Sequence, residues 1–137
     1  MNYLAILACA VLSMVIGAIW YGPMFGRKWM EIVGANPDDQ ERRKQMQKEA
    51  MPLYIIQFIL TLVQVYVLNG LLIWTNAAGK EVPVALWICF GLIMPVVAGS
   101  AMWNNDPKKV VWARFLIQMG YQFILFLVFG YVLGAWK

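Results

Sequence analysis

Within the apolar stretches of this chain, the side chains that could do chemistry fall in two rows. Tyr54, Gln57, Thr61 and Gln64 recur at i, i+3, i+7 and i+10, one stripe of a helix. Arg114, Gln118 and Gln122 recur at i, i+4 and i+8, a second stripe. If both helices run the same way through a membrane, Gln57 lies level with Arg114, Thr61 with Gln118 and Gln64 with Gln122, so the rows can match rung for rung. Asn104 and Asn105, at the end of another apolar segment, would join them on one side. Two chemistries fit. Amides and hydroxyls can glue helices together by hydrogen bonds averaging about 0.6 kcal/mol, with Arg114 snorkelling to the interface. Alternatively they line a watery pocket in which Arg114, with no acid at its depth, binds an anion, a lipid phosphate or a polar solute. Glue is preferred, because Arg114 lies only about a turn inside its helix.

Other chemistry lacks its residues. The chain has no histidine, which removes the commonest general base and metal ligand, and its two cysteines cannot hold a metal alone. Glu31, Asp38, Asp39, Glu41, Glu49, Glu81 and Asp106 all lie outside the apolar segments, leaving no acidic pair for proton relay. No phosphate loop, zinc spacing or nucleophile elbow occurs. No catalytic residue, cofactor or metal is therefore expected, and no nucleic-acid partner.

The elements that carry these rows follow from composition. Of 137 residues, 62% are hydrophobic and 13% charged, far from the roughly 25% charge of a soluble domain. Charges divide the chain into windows 2–26, 50–79, 82–105 and 115–136, each about the 20 residues that cross a bilayer. The expected fold is all-α: one polytopic domain, 1–137, with four transmembrane helices near 3–22, 52–75, 83–103 and 110–135. A connector, 24–50, joins the first two. The first helix should stop at Tyr21-Gly22-Pro23, since proline removes a helical hydrogen bond, and the second at Asn76-Ala77-Ala78-Gly79. The N-terminal helix lacks a basic flank and is too long for a secretion signal, so it should stay attached.

Nine lysines and arginines fall in or beside the first and third connections, against Lys80 and Lys137 elsewhere. By the positive-inside rule those connections face the cytoplasm and both termini lie outside. The connector should hold a short in-plane amphipathic helix, Phe25–Val33, ended by Gly34. A polar helix follows, capped by Asn36 with Pro37 in its first turn, ending near Ala50 and projecting from the membrane. Arg43, Lys44 and Lys48 could draw anionic lipid headgroups to the cytoplasmic face.

Small residues predict close helix packing: Cys9, Ser13 and Gly17 on the first helix, Gly91, Pro95 and Gly99 on the third, Gly130 and Gly134 on the fourth. The last pair is not obviously needed within the bundle and could join protomers into a homo-oligomer. Pro95 could kink the third helix. Cys9 and Cys89 should share a depth in the outer half of the membrane without needing to be bonded.

Gly17-Ala18-Ile19-Trp20-Tyr21-Gly22-Pro23-Met24-Phe25-Gly26 with Trp29, then Trp103-Asn104-Asn105-Asp106-Pro107, Gly120-Tyr121 and Gly134-Ala135-Trp136, resembles a bacterial membrane family catalogued as domain of unknown function 1761. The resemblance spans the chain and implies a compact four-helix protein of the bacterial inner membrane. It brings no activity across. Trp20, Tyr21 and Trp29 suit an interface, Gly22-Pro23 would reverse the chain, and Asn104 and Asn105 would hold the last turn by side-chain to backbone bonds. Small multidrug exporters have the same size but depend on a glutamate in their first helix, and residues 3–22 contain no acid. The expected function is a non-catalytic scaffold or accessory protein. The alternative is a small oligomeric transporter or channel with its polar cavity around Arg114.

Overall fold

A computed structural model describes residues 1–34, 36, 38–103 and 105–136. The described residues form helices joined by short turns, with no strand among them. In chain order these are α1 (Tyr3–Ile19), a π-turn (Trp20–Met24), α2 (Gly26–Ile32), α3 (Gln40–Trp74), α4 (Glu81–Ile88), a second π-turn (Cys89–Ile93), α5 (Met94–Met102) and α6 (Lys108–Ala135). Four segments are long and apolar enough to cross a membrane: Tyr3–Met24, Gln40–Trp74, Glu81–Met102 and Lys108–Ala135. α2 and the described residues 105–107 lie on what we call the connector face, and Asn2, Trp136 and the 75–80 turn on the terminal face.

Both π-turns answer a proline. Pro23 has no N–H to give, and the helix widens instead of stopping: the Phe25 N–H donates to the Trp20 carbonyl, five residues back, at 2.9 Å. In the third span the Met94 N–H likewise reaches the Cys89 carbonyl, just before Pro95. The kink expected at Pro95 thus takes the form of a π-turn upstream of it. The helical run breaks at Phe25 (φ −126°, ψ 7°), before Gly26, and not at Gly22-Pro23. A Cβ on Gly26 would fall 2.6 Å from the Tyr21 carbonyl oxygen, whereas one on Gly22 would meet open space.

The second span departs most from expectation. α3 is one helix of 35 residues that runs through Pro52, so the polar helix and the second transmembrane helix are continuous. Strong helix formers on both sides of Pro52 outweigh one lost bond, and the carbonyl it frees, that of Lys48, belongs to an exposed stretch where water can satisfy it. At about 1.5 Å per residue α3 is about 52 Å long, well beyond a hydrocarbon thickness of about 30 Å. Its N-cap is Asp39, whose carboxylate accepts from the Arg42 N–H at 3.0 Å. Asn36, expected to cap it, instead accepts from the Asp38 N–H at 3.0 Å in a turn before the helix. Pro37 lies outside the described residues. Gly34 (φ +82°) ends α2 as expected.

α6 is the centre of the fold. It packs against α4, α5, α1 and α2, while α3 packs mainly on α1 and makes a lesser contact with α4. Phe126, Phe129, Leu125 and Leu133 of α6 meet Ala85 and Cys89 of the third span, Ala5, Ile6 and Cys9 of α1, and Val65, Leu68 and Leu72 of α3 in one core. The ends are tied: Asn2 caps α1 by accepting from the Ala5 N–H at 3.1 Å, and its amide donates to the Trp136 carbonyl at 2.8 Å. Both termini are thereby at one face.

The glycine pair of α6 is used inside the chain. A Cβ on Gly130 would meet the Val82 Cα at 2.8 Å, and one on Gly134 the Glu81 carboxyl at 3.1 Å. The expectation that Gly130 and Gly134 join protomers is therefore corrected: they seat the first turn of α4. Glu81, placed by sequence outside the apolar segments, lies half-buried in that seat. A Cβ on Gly91 or Gly99 would have nothing within 4 Å, so their stripe does not serve close packing. Cys9 and Cys89 are buried and free. Each sits about two turns from the terminal face, and both belong to the one core as free thiols.

Candidate functional site

The sequence signals near the connector face resolve into three structures: a clasp between α1 and α6, an ion pair, and a basic recess beside α3.

The clasp is reciprocal. Trp20 lays its ring over Gly120, where a Cβ would come within 2.8 Å of it, and its Nε1–H donates to the Ile117 carbonyl at 2.9 Å. Tyr121 lays its hydroxyl over Gly17, where a Cβ would come within 2.9 Å, and donates to the Ser13 carbonyl at 2.8 Å. Each helix thus offers a glycine to receive a ring and a carbonyl one turn earlier to receive its proton. Such donors need partners once water is excluded, and a backbone carbonyl has a second lone pair to accept them. Tyr21 bridges the clasp to α2, its ring centroid 5.4 Å from Tyr121 and 5.0 Å from Trp29, while Trp20 sits 4.7 Å from Phe25. Cys9 and Ser13 are fully buried on the same face of α1. Trp20, Tyr21, Phe25, Trp29, Gly17 and Ser13, singled out by sequence as interface and packing residues, are brought together here.

The two polar rows are not. α3 and α6 are not close backbone neighbours, and among the described residues no hydrogen bond joins Gln57, Thr61 or Gln64 to Arg114, Gln118 or Gln122, so the rung-for-rung match does not form. Gln57 and Thr61 bond within their own helix, the Thr61 hydroxyl donating to the Gln57 carbonyl at 2.9 Å. Gln122 Oε1 is buried with no hydrogen-bond partner among the described residues. The glue between spans is instead ring N–H and O–H groups, together with Asn2, all aimed at backbone carbonyls. Sequence carried a signal for Asn2, an N-cap residue just before an apolar run, that the row pattern overshadowed.

Arg114 has an acidic partner after all. Its guanidinium lies 2.9 Å from Asp106, with side chains 17% and 31% exposed. Eight residues of helix would separate the two by about 12 Å along the axis, but helical side chains lean toward the N-terminus and arginine has a long stem, which closes that distance. The expectation of a free Arg114 that binds an external anion is corrected by this pair. Asn105 is exposed, and among the described residues its side chain makes no hydrogen bond; Asn104 lies outside the described residues.

The recess was not foreseen. A hollow of about 110 Å³ is lined by Gly22 and Pro23 of the first π-turn, Arg27 and Met30 of α2, and Arg43 of α3. Arg27 pairs with Asp38 at 2.9 Å, both largely exposed. Arg43 makes no ion pair among the described residues. Sequence marked both arginines as positive-inside charges, but nothing in it placed Arg43 opposite Pro23.

Over residues 4–134 the chain matches a family described as protein of unknown function, DUF1761. It belongs to that family. The match covers the clasp, the Arg114–Asp106 pair and all four spans, so the resemblance drawn from Trp20–Gly26 and Gly120-Tyr121 extends to nearly the whole chain. No curated protein and no solved structure matches it.

Proposed function

We propose that this family member is a non-catalytic scaffold or accessory protein of the bacterial inner membrane, with α3 as the element that meets its partner. The observation that carries the reading is the continuity of α3: a polar arm, Gln40–Glu49, exposed throughout except for a half-buried Met46, runs unbroken into an apolar segment. That segment exposes Ile55, Ile59, Val63 and Tyr66 along the side away from α1. A helix that links an exposed arm to a membrane face can hold a soluble and a membrane-embedded contact together. With Gly130 and Gly134 occupied, α3 is also where self-association would occur. Further support comes from three groups that are engaged within the fold: Arg114 by Asp106, and Trp20 and Tyr121 by carbonyls. The transporter alternative loses its support with the separation of the two rows. In this reading the connector face is cytoplasmic, following its nine lysines and arginines.

The test is photocrosslinking in intact membranes, with a crosslinking residue placed at Arg42 or Ile59 and, as a lipid-facing control, at Leu127. A discrete protein adduct, either a second copy or another protein, is expected from the α3 positions and not from Leu127. Solute flux into reconstituted vesicles above that of empty vesicles, with no α3 adduct, would overturn the scaffold in favour of a transporter. A cysteine at Lys80 should be labelled only from outside the cell.

A further inference from the structure

The seam between α1 and α3 is closed in one half and open in the other. Thr61, Val65, Leu68 and Leu72 follow one stripe of α3 and are buried against α1. The same stripe continues toward the connector face through Gln57, Tyr54, Ala50, Gln47 and Arg43, at intervals of three and four residues. Along it the cover is lost. Every residue from Met51 to Gln57 is exposed, nearly two full turns, so no side of the helix is covered, including the side that faces α1. At the foot of this open seam lies the recess of Gly22, Pro23, Arg27, Met30 and Arg43.

We propose that this site binds one anionic glycerophospholipid, its phosphate held in the recess by Arg43 and Arg27 and an acyl chain filling the open seam past Ala50 and Tyr54. Three features select that occupant. At about 110 Å³ the recess is too small for a drug-sized solute, which needs roughly 300 Å³ or more, and suits a phosphate group whose remaining atoms lie outside it. Its charged lining is two guanidiniums, whose planar forks match phosphate oxygens. Arg43 has no ionic partner among the described residues, and the Arg27–Asp38 pair is largely exposed and so too weak to hold Arg27 back. Finally, the turns of α3 above the recess belong to a segment apolar enough to cross a membrane and expose Leu53, Ile55 and Ile56 around Tyr54, a surface that suits an acyl chain better than water. Gly22 lets the ligand approach the π-turn backbone, since nothing stands within 4 Å of where its Cβ would be. The lipid occupies the α1 side of α3 and leaves the opposite side free, so the inference does not depend on the scaffold reading.

The experiment is native mass spectrometry of the full chain extracted from nanodiscs of phosphatidylcholine containing a minor fraction of phosphatidylglycerol. The wild type should retain one phosphatidylglycerol in preference to phosphatidylcholine. Arg43→Gln and Arg27→Gln should each lower that preference about fivefold, equivalent to about 1 kcal/mol per basic group near a membrane surface. Arg43→Lys should fall between, keeping charge and losing the fork. Lys108→Gln with Lys109→Gln, on the same face but away from the recess, should leave the preference unchanged. The arginines are exposed, so unchanged helical circular dichroism is expected of every variant. Equal retention of the two lipids by the wild type, or an equal loss in the Lys108/Lys109 variant, would overturn the site. Inorganic phosphate that displaces the lipid completely at low concentration would assign the recess to free phosphate instead.

Discussion

α1 has two neighbours, and it holds them by opposite means. Toward α6 it is clasped along its length: Gly17 and Gly120 receive rings, and two hydrogen bonds cross between the helices. Toward α3 it is packed only as far as Thr61, beyond which the seam opens. A proline lies near the connector end of both α1 and α3, yet Pro23 widens its helix into a π-turn that aims Trp20 and Phe25 into the clasp, while Pro52 leaves α3 a plain helix with nothing against it. In a bilayer, burying apolar area between helices gains little because lipid is as apolar as leucine, so association depends on close backbone approach and on polar donors with acceptors across the gap. The α6 side has both. The connector half of the α3 side has polar groups, Tyr54 and Gln57, but among the described residues neither bonds across to α1, Gln57 bonding to Thr61 of its own helix.

The α6 side of α1 is most sensitive at the clasp. Gly120→Leu forces a side chain into the Trp20 ring and should cost about 1–3 kcal/mol, seen as a lowered thermal midpoint in detergent. Gly22→Ala, close to the clasp in sequence but facing open space, should leave the midpoint unchanged. An equal drop in both would mean that the glycines act through helix propensity and not through the rings.

Asp106→Asn comes next. It leaves Arg114, 17% exposed, without its counter-charge, and should cost about 1 kcal/mol, below the roughly 3–5 kcal/mol of a fully buried pair because the guanidinium can still reach headgroups. The double variant Asp106→Asn with Arg114→Gln should recover part of that loss in chemical denaturation. A double variant as unstable as the sum of the two singles would show that the pair is not coupled.

The smallest effect separates the two sides of α1 by a single hydroxyl. Tyr121→Phe removes the bond to the Ser13 carbonyl and should cost about 0.6 kcal/mol. Tyr54→Phe, on the open seam, should cost nothing in detergent without added lipid. A larger loss for Tyr54→Phe would show that the seam closes in solution.

Much of this protein was decided by composition and spacing. The number of spans, their approximate ends, the 75–80 turn, the short helix after Pro23 and its stop at Gly34 follow from local rules of apolar length, turn residues and positive φ. The motif residues Trp20, Tyr21, Gly120 and Tyr121 were legible as important but not as partners, because what they bond to is backbone, and every residue offers the same carbonyl. The tertiary structure alone decided which spans are neighbours. Periodicity tells which face of a helix carries polar groups but not which helix it meets, so two rows of equal depth, Gln57–Gln64 and Arg114–Gln122, read as a match although α3 and α6 are not close neighbours. It also decided the reach of long side chains: Arg114 found Asp106 by leaning back along its own helix, and Arg43 came to face Pro23 because α3 stayed a single helix through Pro52, a balance of one lost hydrogen bond against many kept.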